Sequence, residues 1–295
     1  MDTRPSRRSG GAKVAVWLLS SALVLLLAAG AWLFLQYLAA QDRILEQDNK
    51  IQQQRELIEE KESFGAAMGT LMTTTEKFDA VLTASVVPWE TYERLAERAW
   101  TFRWDVAELA AATDQVEFET QQLEQAWAVA QLEMQSNASG SVYEAVIDSL
   151  GGGFVRSVLD NESCDGGESV LGCVYENDPL VVHFDAAENT QPFMTDEIRT
   201  GIAYHEFAHV LQFTNPEASE VAVTSFGGDW EVMADCFALT YLPGWALDHV
   251  VWTSSHEYWE VSIGHGVTCS EPQRQAVRDW YGQVGVQPQT IGTEH

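Results

Sequence analysis

Thr195-Asp196-Glu197-Ile198-Arg199-Thr200-Gly201-Ile202-Ala203-Tyr204-His205-Glu206-Phe207-Ala208-His209-Val210-Leu211-Gln212 reads as one helix. Thr195 is a capping residue, Asp196 and Glu197 suit the positive end of the helix dipole, and Ile198, Ile202, His205, His209 and Gln212 recur at helical steps. Two histidines four positions apart share a face, so both imidazoles can reach one ion, and Glu206 sits about 100° round the helix beside the ion's open position. The plain alternative is a pair of buried core histidines. A complete metal site needs more than this pair: a third protein ligand and a group that orients a ligand histidine.

Reading onward, an HExxHxxGxxH site would need Gly at 212 and His at 215, whereas the chain has Gln212 and Asn215. Asp229-Trp230-Glu231-Val232-Met233-Ala234-Asp235 offers a carboxylate on a second helix instead. Glu231 and Asp235 are again four apart, so Glu231 can coordinate the ion while Asp235 accepts the other ring N–H of a bound histidine. Together, His205-Glu206-Phe207-Ala208-His209-Val210-Leu211-Gln212 and Glu231-Val232-Met233-Ala234-Asp235-Cys236-Phe237-Ala238 resemble the gluzincin metallopeptidases, in which HExxH is followed by a helix bearing ExxxD. More narrowly they resemble the bacterial neutral zinc metallopeptidases, with HExxHxxQ and ExxADC segments.

That resemblance covers about 35 residues. It implies a zincin-like α+β domain with a small sheet and an active-site helix, Zn2+ as cofactor, His205, His209 and Glu231 as ligands, Glu206 as catalytic base and Asp235 supporting a ligand histidine. Leu180-Val181-Val182-His183-Phe184-Asp185 reads as a short strand; the resemblance implies that it is the edge on which an extended peptide lies, and a plain core strand is the alternative. An oxyanion needs a donor, and His249, His256, Tyr258 and His265 are the downstream candidates, with nothing in the sequence to choose among them.

The region from Ser141 has no lysine, holds all seven histidines and all four cysteines, and is where the chemistry is expected. Cys164, Cys173, Cys236 and Cys269 form an even set; loop length favours Cys164 with Cys173 and Cys236 with Cys269, and the absence of any CxxC pair argues against a four-cysteine zinc site. Asp160 to Gly166 is acid-rich but misses the calcium-loop spacing, and Asn137-Ala138-Ser139 and Asn161-Glu162-Ser163 match the N-glycosylation pattern.

Towards the N-terminus, Val14 to Ala40 is an uncharged run interrupted by Ser20, Ser21 and Gln36, longer than the roughly 20 residues that cross a bilayer. A cleaved signal peptide, with Ala29-Gly30-Ala31 as its site, is the alternative, but the apolar run continues through Trp32, Leu33, Phe34, Leu35 and Leu38. Arg4, Arg7, Arg8 and Lys13 keep the N-terminus in the cytoplasm and place the chain beyond Ala40 outside, where disulfides persist. The expected order is a tail at 1–13, a membrane helix at 14–40, a stalk at 41–136, a linker at 137–140, a metallopeptidase domain at 141–286 and a tail at 287–295.

The stalk is rich in Gln, Glu, Ala and Leu, and apolar residues recur at three- and four-residue steps from Leu57 to Leu82 and from Tyr92 to Met134. With Val86-Val87-Pro88 as a corner, this predicts an antiparallel helical hairpin, each arm about 65 Å long, that returns towards the membrane and offers a surface for a protein partner or self-association.

The 44 acidic and 16 basic side chains, net charge −28, exclude a partnership with nucleic acid and give a weak preference for basic peptides as substrate. The polar surroundings of His205 exclude an intramembrane protease. The expectation is therefore a single-pass, extracytoplasmic zinc metallopeptidase acting on peptides or proteins. Two rivals stand beside it: a membrane-anchored scaffold with an inactive zinc domain, and a zinc hydrolase of another amide.

Overall fold

The computed structural model describes residues 10–160, 164, 170–266, 268–289 and 291. The second glycosylation pattern, most of the acid-rich loop after Asp160, and Arg4, Arg7 and Arg8 lie outside the described residues. The fold is α+β, with a long apolar N-terminal helix and two small sheets.

The chain divides into two compact units. The first comprises Met1–Glu62 with Trp104–Val106 and contains most of helix α1 (Gly10–Thr75). This helix carries a stretch long and apolar enough to cross a membrane, and none of that stretch is buried by the chain itself. Trp17, Leu25, Leu26 and Phe34 are all exposed, a continuous apolar surface of the kind a membrane span or a signal segment presents. Within the same unit the Lys61 ammonium lies 3.9 Å above the Trp104 ring.

The second unit is Ser63–Arg103 with Ala107–His295. Here the expected hairpin is replaced by three passes of chain. After α1 the chain makes 3-10 turns at Glu76–Phe78 and Ala84–Val86, then forms α2 (Trp89–Thr101) and α3 (Val106–Glu133). The second arm breaks at Phe102 to Asp105, and Asp105, a residue type that favours the position before a helix, is the signal that marks the restart. Arg98 pairs with Glu108 at 2.7 Å and Tyr92 feels the charge of Glu119, so α2 and α3 are antiparallel. A hairpin folded at Pro88 would set Phe78 opposite α2 alone; instead its ring also meets Trp127 of α3 at 5.4 Å, and Lys77 pairs with Glu124 at 2.6 Å. Leu71, Phe78, Tyr92, Leu95, Val116 and Leu123 fill the space between the three passes.

This helical core includes Val286, whose N–H donates to the Val81 carbonyl at 2.9 Å, and it is flanked by Phe154, 5.5 Å from Phe78. The segment at 137–140 is therefore no boundary between units. It is a tight turn, in which the N–H groups of Ala138 and Ser139 donate to the Glu144 carboxylate.

Helix α4 (Val142–Gly151) starts on Ser141, whose hydroxyl accepts from Glu144 N–H. Strands β1 (Arg156–Asp160), β2 (Gly172–Tyr175) and β3 (Asp178–Asp185) form a sheet in the order β1-β3-β2, with β1 parallel and β2 antiparallel to β3. The stretch expected to be a substrate edge, Leu180 to Asp185, lies in the central strand with neighbours on both sides. The edge is β2. A strand's position in a sheet depends on long-range pairing, which a run of apolar residues does not encode.

Helix α5 (Asp196–Thr214) carries the HExxH segment and packs on this sheet and on α4, with Ile198, Ile202, Phe207 and Leu211 buried. It stops at Asn215, where Pro216 opens α6 (Pro216–Val223) in the one place a helix accepts proline. Helix α7 (Trp230–Tyr241) starts on Asp229, whose carboxylate accepts from the N–H groups of Glu231 and Val232. A hairpin of β4 (Asp248–Trp252) and β5 (Tyr258–Ser262) comes next, then α8 (Glu271–Tyr281), whose Trp280 is buried with its ring N–H on Ser219. The main core, from Tyr143 and Phe184, stacked at 3.9 Å, through Phe207 to Phe237 and Trp280, holds α5 and α7 rigidly side by side.

Candidate functional site

Helices α5 and α7 deliver their polar side chains to one cleft of about 630 Å³, lined among others by Gly172, Ile202, His205, Glu206, Trp245 and His265. Three atoms converge in it. His205 Nε2 and His209 Nε2 are 3.1 Å apart, and each is 3.1 Å from Glu231 Oε2. The i, i+4 spacing on α5 aligns the rings, and the cap of α7 fixes the backbone at Glu231, the third member.

The hydrogen bonds behind the rings decide what these atoms offer. His205 Nδ1 lies 2.8 Å from Asp235 Oδ1, and His209 Nδ1 lies 2.7 Å from Gln212 Oε1. Gln212 Nε2 donates to the Trp230 carbonyl at 3.1 Å, which orients the amide so that its oxygen faces His209. Both partners accept, so each imidazole carries its proton on Nδ1 and presents a lone pair at Nε2. Two lone pairs and a carboxylate oxygen at this separation repel one another unless a positive charge sits among them, so the group can hold a metal ion. Where no cation answers this pull, a proton does: burial disfavours a charged His205, yet Asp235 and Glu231 outweigh it and raise its pKa to about 10, while bonds from His205 and His209 hold the Glu231 carboxyl well below the ordinary range, so a bound ion takes the place of the proton His205 would otherwise carry on Nε2.

Glu206 lies beside the trio and faces the sheet edge. Its Oε2 is buried without a hydrogen-bond partner, and burial raises its pKa against the opposing pull of His205 and His209. Gly172 of β2 makes room for it: a Cβ there would come within 2.9 Å of Glu206 Oε1. Asp235, 2% exposed, spends its second oxygen on the backbone N–H of His265 at 2.7 Å. The approach requires Gly264, which has φ +116° and whose Cβ would meet Asp235 Oδ1 at 2.7 Å.

Of the four downstream candidates, His265 alone lines the cleft, its ring 5.7 Å from that of His205 and its Nε2 3.8 Å from Glu231 Oε2. His249 packs on Trp245 at 4.6 Å, Tyr258 packs on Trp252 at 4.9 Å with the rings tilted, and His256 lies in the exposed turn of the β4–β5 hairpin. The cysteines pair Cys164 with Cys173 and Cys236 with Cys269, and among the described residues no cysteine is free. The second bridge fastens the segment after His265 to α7, next to Asp235.

Gln212, quoted in the HExxHxxQ segment without a role, completes the site together with Gly172 and Gly264, which the sequence did not single out for it. The Gln212 role was readable, since it stands three residues after His209 on the same helix face; those of the glycines depend on contacts across the fold. No family model, curated protein or solved structure matches this chain.

Proposed function

We propose that the chain is a membrane-anchored, zinc-dependent metallopeptidase of gluzincin type, with a zincin-like domain outside the cytoplasm. The observation that carries this reading is the convergence of His205 Nε2, His209 Nε2 and Glu231 Oε2 beside an unpartnered, buried Glu206 oxygen. Two imidazole nitrogens and one carboxylate suit zinc, and tetrahedral zinc at about 2.0–2.1 Å places its ligand atoms about 3.3 Å apart, close to the spacing of these three. Glu231 is half-exposed on the cleft side, which leaves the fourth position open.

Zinc held by these residues supplies Lewis acidity, lowering the pKa of water to about 7 and polarising a carbonyl. Glu206 takes the attacking water's proton and hands it to the departing amine; its raised pKa suits a group that must both accept and release that proton. His265, half-exposed on the cleft wall, donates to the carbonyl oxygen as negative charge builds there. Asp235 holds His205 and the His265 backbone in register. The free edge of β2, at the cleft between Leu171 and Val174, accommodates the main chain of an extended peptide. The acid-rich composition favours basic peptides.

The span in α1, the basic residues before it and the two disulfides support a single-pass anchor with the catalytic part in an oxidising compartment. The test is Glu206→Gln in the full chain. Peptide hydrolysis lost with zinc retained supports the enzyme reading. Cellular function that survives this substitution with zinc in place makes the chain a scaffold instead.

A further inference from the structure

A second group of side chains lies in the same unit, away from the cleft. Glu133 is the last residue of α3, and Glu144 and Asp148 lie one turn apart on the same face of α4. A carboxylate oxygen from each lies within 4.8 Å of the other two. Three oxygens spread evenly round one calcium at about 2.3–2.6 Å lie about 4.0–4.5 Å apart, so side-chain shifts of a few tenths of an ångström bring all three into contact with one such ion.

Acidic clusters are common, but this one differs in its burial and its partners. Asp148 is 5% exposed and Glu144 6%. Glu144 is held by the N–H groups of Ala138 and Ser139. The Asp148 carboxylate has no hydrogen bond or ion pair among the described residues, and the charges it feels are those of Glu133 and Glu144, both repulsive. Glu133 adds its charge at the negative end of α3, where the helix dipole also disfavours it. Like charges are thus gathered at a joint in the chain, with an unpartnered carboxylate aimed into the group and no lysine or arginine among the described residues to offset them.

We propose that Glu133, Glu144 and Asp148 form a binding site for a hard divalent cation, calcium, which fastens the end of α3 to the first helix of the region that bears the cleft. All three donors are oxygens, which excludes the softer nitrogen-loving metals suited to His205 and His209. The site bridges Gln135 to Gly140, so its occupancy sets how firmly the helical segment is attached.

The test uses the full chain in detergent, stripped of loosely bound ions and kept at physiological salt, with Ca2+ or Mg2+ alone as probe. Equilibrium dialysis and thermal unfolding are compared for the parent, Asp148→Asn and the more exposed Glu133→Gln. The expected result is one Ca2+ more per parent chain than per variant, with Tm raised by about 5 °C by Ca2+ in the parent alone. Equal calcium occupancy and equal shifts in parent and both variants overturn the proposal. A shift produced as well by Mg2+ overturns the assignment to calcium.

Discussion

The cleft trio and the α3–α4 trio are both three side chains of one protein brought within reach of one ion, yet they are built in opposite ways. In the cleft, each ring has a designated acceptor behind it, Asp235 for His205 and Gln212 for His209, so the donor atoms are aimed before any ion arrives. At the α3–α4 joint, Glu144 alone is held, by two backbone N–H groups, while Asp148 is left without a partner. The first arrangement keeps its geometry and leaves one side open, as a reaction requires. The second has only repulsion to relieve, as a structural clamp does. Nitrogen against oxygen donors then separates the metals each would select.

That contrast can be broken at its strongest point first. Glu206→Gln removes the proton acceptor and none of the metal donors, so peptide hydrolysis should fall by about 10²–10⁴-fold with bound zinc unchanged. A variant that keeps most of its activity removes the reason for the open side. His265→Ala should lower kcat by about 10²-fold with KM nearly unchanged, because its donor acts on charge that develops in the reaction. A rise in KM alone would make His265 a substrate-binding residue instead.

Asp235→Asn sharpens the comparison, since it tests aiming rather than ligation. Zinc affinity should drop by about 10- to 100-fold in competition with a chelator, and calcium binding should not change. Equal loss of both ions would mean that the two trios are coupled through the fold.

The smallest effect concerns the clamp and changes sign with conditions. Burial first, then Glu133 and Glu144, raise the Asp148 pKa from 3.8 to about 6, so the protonated acid is the form the fold prefers. Stability from this group is present below about pH 4 and is lost as pH rises through about 6. In chelator, Asp148→Asn should therefore raise Tm by about 2–4 °C at about pH 8 and by nothing near pH 4. With calcium at about pH 8 the order should reverse, the parent becoming the more stable. Thermal unfolding across pH, with and without calcium, checks each arm.

The cleft was legible in the sequence because its members come from two short segments with helical spacing. His205, Glu206 and His209 share α5, Glu231 and Asp235 share α7, and a spacing of four becomes a shared face in any helix. Cys164 and Cys173 paired as loop length suggested, which left Cys236 for Cys269. What stayed hidden depends on meetings between distant segments. The seam from Tyr92 to Met134 keeps its apolar spacing through the break at Phe102 to Asp105, so periodicity alone reads as one arm where the chain makes two passes. The edge strand is hidden for the same reason: β2 holds Gly172 and Cys173 and looks unlike a strand until β3 pairs with it. The joint trio straddles a stretch that reads as a linker and closes only when the Ala138 and Ser139 N–H groups meet Glu144.

The most direct test of the central claim is zinc per chain in the purified chain beside Glu231→Ala, measured together with peptide hydrolysis. The account predicts close to one zinc in the parent, most of it lost with the activity in the variant, and calcium binding preserved in both. A folded parent that takes up no zinc when zinc is supplied would contradict it.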